Sequence, residues 1–192
     1  MGRIWLRLQV QHRNPGESKK DVCCVLQEVG NGQNGEYSDA EITEREIIIM
    51  DKVQVVYWSG TGNTKMMADM IAAGVEEAGK TCELVEAGQA DVAALLAAPG
   101  FALGSPAMGC EELDDTEMEP LVSAIEGKVS GKQILLFGSY DWGDGEWMRN
   151  WTDRMTAAGA TVVGGEGVVA HNEPDDDVQK QCIEAGKTLA AL

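Results

Sequence analysis

The chain has 192 residues and carries 32 Asp and Glu against 15 Lys and Arg, a formal net charge of −17. That balance excludes a nucleic-acid binder, which needs a basic footprint to meet a polyanion. No run reaches the ~18 consecutive apolar residues of a membrane span, and the length suffices for one domain with a real core.

Residues 1–49 differ from the rest, being rich in Gly, Asn, Gln and charge, without sustained periodicity. Brief strands are expected over 6–10 and 22–26, and otherwise disorder or a loose appendage. Arg3 and Arg7 flank a very short apolar stretch with no small-residue cleavage site, a poor signal peptide. This segment holds 6 basic and 8 acidic residues (−2), leaving 9 against 24 (−15) for residues 50–192. Two readings of it stand. In one, Met50 is the true start and Glu44-Arg45-Glu46 reflects a purine-rich ribosome-binding site upstream. In the other, the segment is a genuine partner-docking extension. Intact mass of the native protein separates them.

From Met50 onward apolar runs and helical stripes alternate. Strands are expected over 53–58, 82–86, 100–104, 133–138 and 161–169, the last broken by Gly164, Gly165 and Gly167. Helices are expected over 63–78, 91–98, within 119–128, over 147–158, and from near Asp175 to the end. Three consecutive aspartates, Asp175 to Asp177, suit the dipole at the start of that last helix. Such βαβ alternation means a parallel sheet covered on both faces.

The first strand stops abruptly at Ser59-Gly60-Thr61-Gly62-Asn63-Thr64 and a helix follows at once. Strand, small-residue loop and helix start together aim backbone N–H groups at one point, where a phosphate fits. Asn63 or Thr64 is expected to cap the helix, with Ser59, Thr61 and Thr64 offering hydroxyls. No Lys or Arg precedes Lys65, so the loop would hold its anion by neutral donors and dipoles. The triphosphate pattern G-x-x-x-x-G-K-[ST] is absent, and G-x-G-x-x-G is matched only at Gly60 and Gly62.

Two more strand ends carry comparable loops. Residues 105–112 include Ser105, Pro106, Ala107, Met108, Gly109, Cys110 and Glu111. Residues 138–148 include Ser139, Tyr140, Asp141, Trp142, Gly143 and Asp144. In an open parallel sheet, ligands bind beyond the carboxyl ends of the strands, where the strand order reverses. Met108 and Trp142 offer a polarizable face and a π face, able to sandwich a planar ring.

Taken in order, Tyr57-Trp58-Ser59-Gly60-Thr61-Gly62-Asn63-Thr64, Ala107-Met108-Gly109, Gly138-Ser139-Tyr140, Trp142-Gly143-Asp144-Gly145 with Trp147-Met148-Arg149, and Asn172-Glu173-Pro174-Asp175 make residues 50–192 resemble a short-chain flavodoxin of anaerobic bacteria. The resemblance implies an α/β flavodoxin-like fold, a doubly wound five-stranded parallel sheet in order 2-1-3-4-5. It also implies non-covalently bound FMN and low-potential one-electron transfer between redox enzymes. Trp58 joins the three loops as a cofactor-contacting residue on the same ground. Met108 and Trp142 would cover the two flavin faces, and Glu111 would accept from the flavin N3–H. A flip of the Gly109–Cys110 peptide would present a carbonyl to a protonated flavin N5, at little cost for glycine. Departures from the family pattern are Cys110, where a small or acidic polar residue is usual, and Asp141, where Gly is usual.

The run Glu111, Glu112, Asp114, Asp115, Glu117 and Glu119 has two readings. It is either a solubilising surface or a negative rim that steers basic redox partners toward the flavin edge. The five cysteines show no metal-ligand spacing, so free thiols in a cytoplasmic, monomeric carrier are expected and no metal site. A flavodoxin-fold NAD(P)H-dependent quinone reductase is the alternative, but it needs room over one flavin face. A receiver-type signalling domain is excluded, because the third strand ends in Gly104-Ser105 and the fifth has no Lys.

Overall fold

The computed structural model describes residues 52–192, and before them only the backbone of residues 6–11 and 23–28. The chain divides into two compact units, Met1–Ile47 and Ile48–Leu192. In the first, β1 (Leu6–Gln11) and β2 (Cys23–Glu28) pair antiparallel from Leu6↔Glu28 to Gln11↔Cys23. These strands are paired with each other and lie one or two residues beyond the expected ones. The disorder expected elsewhere in 1–49 lies outside the described residues.

The second unit alternates β3 (Lys52–Tyr57), α1 (Asn63–Glu77), β4 (Thr81–Glu86), α2 (Val92–Ala97), β5 (Gly100–Gly104), α3 (Met118–Ile125), β6 (Gln133–Tyr140), α4 (Glu146–Ala157), β7 (Thr161–Val162), β8 (Val168–His171) and α5 (Asp176–Ala190). The strands pair parallel in the order β4-β3-β5-β6-β7, with β8 also on β6. Counted along this unit the order is 2-1-3-4-5, as expected.

The fifth strand is broken at the expected glycines into two pieces, and the second runs past the expected end at 169 to His171. β6 is long enough to pair Gln133–Ile134 with β7 and Phe137–Tyr140 with β8 on one edge. Between the pieces, Gly164 and Gly165 take left-handed φ values of 80° and 83° and turn the chain outward.

Side chains of the strands alternate between two buried layers. Val53, Val55, Tyr57, Ala102, Leu135 and Phe137 pack with Met67, Ile71 and Val75 of α1 and Cys182 and Leu189 of α5. Val56, Phe101, Leu103, Ile134 and Leu136 pack with Leu121 and Ile125 of α3 and Trp147, Trp151 and Met155 of α4. Burial on both faces explains why β5 reads as an unbroken apolar run. Helix starts carry their own signals: Asp91 and Asp175 each accept two amide hydrogens from the first turn of α2 and α5. The site therefore rests on the carboxyl ends of β3, β5 and β6, held by a core on either side.

Candidate functional site

The three loops expected to converge do so, and hydrogen bonds tie them together. Trp58 donates its amide to the Gly104 carbonyl at 2.9 Å, and Ala107 donates to the Ser139 carbonyl at 2.9 Å. The Thr64 and Ser139 hydroxyls lie 3.1 Å apart, both buried. The Trp147 indole donates to the Ser105 carbonyl at 3.2 Å. Gly138 is required at this crossing, because a Cβ there would run into the Ser105 carbonyl.

The first loop is a donor cradle. Gly62 occupies the N-cap position of α1 in a left-handed conformation and contributes no side chain. The cap comes from Ser59, whose Oγ accepts from the amides of Gly62 (3.1 Å) and Lys65 (3.3 Å). That corrects the expectation for Asn63 or Thr64: Thr64 is turned inward to Ser139, and Asn63 makes no cap. Ser59 spends only acceptor capacity, so its own O–H stays available to donate. The amides of Gly60, Thr61, Asn63 and Thr64 form no hydrogen bond among the described residues. Lys65 does not reach into the loop. Its ammonium pairs with Asp69 at 2.9 Å, and that hydrogen bond raises its pKa. Unpaired amides, a hydroxyl and the start of a fifteen-residue helix fit the phosphate of a mononucleotide. Trp58 supports the loop from beneath: its ring packs on the α3/α4-side core and lies under Gly60.

The second loop is a tight turn. Met108 and Glu112 exchange both backbone hydrogen bonds, at 2.9 and 2.8 Å, enclosing Gly109, Cys110 and Glu111. Gly109 sits at φ 49° with open space where a Cβ would go, so glycine serves backbone conformation there and not packing. The Gly109 carbonyl and the Cys110 amide make no hydrogen bond among the described residues. Pro106 and Ala107 are half-buried, whereas Met108, Gly109 and Cys110 are exposed. Cys110 is the exposed thiol of the described residues; burial pushes Cys82 and Cys182 each up to about 12.

Glu111 has a structural role that the sequence did not suggest. It takes φ 55°, rare for a side-chain-bearing residue, and its Oε1 accepts from Gly145 (2.8 Å) and Glu146 (2.9 Å) at the start of α4. Gly145, the N-cap position of α4, makes no side-chain cap of its own. One carboxylate oxygen thus locks the second loop to the third, and the other is left to accept elsewhere.

The third loop exposes Asp141, Trp142, Gly143 and Asp144, while Tyr140 is half-buried. Trp142 is 55 % exposed and Met108 37 %, large apolar side chains at the same end of the sheet. Both suit the faces of a planar ring. Asp144 is paired with Arg149 at 2.6 Å.

The acidic run after the second loop is not one rim. Asp114 is buried and accepts from Thr116 and from the amides of Glu117 and Met118, starting α3. Glu117 accepts from the Gly88 amide at 3.1 Å. Glu119 pairs with Arg154 at 2.7 Å, and that bond holds its carboxyl below the usual range. Only Glu112 and Asp115 of the run are exposed and unpaired among the described residues. Ser105 went unremarked in the sequence except as a loop residue; it is fully buried and accepts from the Asp114 amide through Oγ at 3.3 Å.

A family model for flavodoxin matches residues 55–186. The chain belongs to the flavodoxin family. It is 44 % identical over 140 residues to the flavodoxin of Clostridium beijerinckii, covering 73 % of this chain and all of that one. It is 43 % identical over 138 residues to the flavodoxin of Megasphaera elsdenii, covering 72 % of this chain and 98 % of that one. The solution structure of two-electron reduced Megasphaera elsdenii flavodoxin superposes with a TM-score of 0.67 at 41 % identity, over 73 % of this chain and 99 % of that one. The protein is therefore a short-chain flavodoxin, an FMN-binding electron carrier. Among the described residues, no helix is long and apolar enough to cross a membrane.

Proposed function

We propose that this flavodoxin is a low-potential, one-electron shuttle whose FMN is held by the three tied loops. The carrying observation is the first loop, with unpaired amides at Gly60, Thr61, Asn63 and Thr64 and its nearest cation turned away to Asp69. Those amides and the Ser59 hydroxyl take the phosphate, while Met108 and Trp142 flank the ring. Pro106, Ala107 and Tyr140 shape the walls of the site. Glu111 offers its second carboxylate oxygen to the flavin N3–H. Bound FMN supplies the one-electron chemistry. The Gly109–Cys110 peptide, engaged by no hydrogen bond among the described residues, can turn its carbonyl to hold a proton at flavin N5. A net hydrogen bond of about 1 kcal/mol at that point moves a one-electron potential by tens of millivolts.

Shuttling asks for brief encounters, and the charge serves that. Glu112, Asp115, Asp141, Asp144 and Glu146 are exposed at the same end as Trp142. Negative potential there recruits basic faces of donor and acceptor oxidoreductases. The carrier works as a monomer in the cytoplasm, is not itself an enzyme, and occupies residues 50–192; residues 1–49 are an appendage.

Anaerobic dithionite titration of the FMN-loaded protein tests the reading. A long-wavelength band that grows to half-reduction and then bleaches supports a one-electron shuttle using Gly109. Direct passage to the two-electron state would favour a quinone reductase instead, and a protein that refuses FMN would overturn the cofactor site.

A further inference from the structure

We propose that His171 is a positioning residue for the loop that carries Trp142. The proposal rests on the reading that this loop covers FMN, yet its grounds are contacts within the protein.

β8 ends beside β6 with His171 in register with Tyr140. Partners in register project from the same face of a sheet, and the two rings meet with centroids 5.2 Å apart, tilted at 54°. Tyr140 in turn meets Trp147 at 5.4 Å, so His171 is the outer member of an aromatic row that begins in the core. Past that row the imidazole Nε2 lies 3.1 Å from the Asp141 carbonyl. A carbonyl only accepts, so Nε2 carries the hydrogen whether the ring is neutral or charged. The next residue strengthens the grip: Asn172, at φ 64°, donates its amide to the Tyr140 carbonyl at 2.7 Å.

Trp142 therefore hangs between two clamps. His171 holds the chain just before it, and Glu111 holds Gly145 and Glu146 just after it. Between the clamps stands Gly143 at φ 93°, a conformation that glycine reaches and leaves easily. An exposed indole on such a stretch needs fixed ends to present a ring face, and His171 supplies one of them.

Three variants separate ring from donor. His171→Phe keeps the ring contact and loses the donor, His171→Gln keeps an N–H donor and loses the ring, and His171→Ala loses both. The first readout is amide hydrogen exchange of residues 141–145 in the FMN-free protein. The second is the FMN dissociation constant, from quenching of flavin fluorescence. Loss of one hydrogen bond predicts exchange about fivefold faster, and FMN binding weaker by up to about fivefold, in His171→Phe and His171→Ala. His171→Gln should restore most of both. Exchange and affinity equal to wild type in all three variants would overturn the proposal. If wild type takes no FMN, the cofactor reading fails, and the exchange rates alone still decide whether His171 clamps the loop.

Discussion

The two ends of the site are built on opposite principles. The loop of residues 59–64 leaves its backbone donors open and keeps charge out, so its binding capacity is simply the backbone of a helix start. The ring end is interlocked by acceptors that are already in use: Glu111 on α4, Asp114 on α3 and Ser105 on the Asp114 amide. An anion cradle works best when nothing inside the protein competes for its donors. A surface for a flat ring works best when the loops that bear it cannot move.

That contrast predicts where substitution hurts stability and where it hurts binding. The largest stability loss should follow Asp114→Ala. Its carboxylate is buried and takes the amides of Glu117 and Met118 together with the Thr116 hydroxyl. Removing it leaves a buried and a half-buried amide unmet, for a loss of about 3 kcal/mol in urea unfolding of the FMN-free protein. Next comes Glu111→Ala at about 2 kcal/mol, since α4 loses the one side-chain cap it has among the described residues. Glu111→Gln, which keeps an acceptor oxygen, should recover most of that stability. If Asp114→Ala and Glu111→Ala cost nothing, the ring end is not interlocked in the way described.

At the phosphate end the order reverses. Ser59→Ala removes the acceptor for the Gly62 and Lys65 amides and should cost about 1 kcal/mol of stability. It also removes a hydroxyl donor from the cradle, so FMN affinity should fall by a larger factor than in Asp114→Ala. Titration of both variants with FMN reads this directly. Equal affinities would mean that the backbone amides carry the phosphate without help from Ser59.

The open end was more legible in the sequence than the interlocked end, for a physical reason. Loops at strand ends, neutral small residues and a helix start are local features, and so is β5, five apolar residues between Pro99 and Ser105. The parallel sheet followed from alternation, and its strand order from the family resemblance alone. What stayed hidden depends on partners distant in the chain. Glu111 finds α4 across 34 residues, and Thr64 finds Ser139 across 75. Where the two pieces of the fifth strand pair depends on the length of β6, along which both sit. His171 meets a carbonyl 30 residues away, a pairing that no local pattern shows. A run of acids reads the same whether each member faces water or a helix start, so Asp114 was indistinguishable from Asp115.

That last pair gives the smallest effect on stability and the sharpest test of the charge reading. Glu112 and Asp115 are exposed and unpaired among the described residues, so Glu112→Gln combined with Asp115→Asn should move stability by no more than about 0.5 kcal/mol. The role proposed for them is at long range. Electron transfer to a basic haem protein, followed by stopped flow at low ionic strength, should slow by roughly threefold or more. The difference should shrink toward nothing as added salt shortens the screening length to about 3 Å at 1 M. Glu76→Gln is the control: it is exposed near the last turn of α1, the end of that helix remote from the cradle, and should leave the rate nearly unchanged. If the control slows transfer as much as the double variant, the acidity acts as bulk charge. If only the double variant does, two carboxylates direct the encounter, and the remaining acids of that run belong to the scaffold.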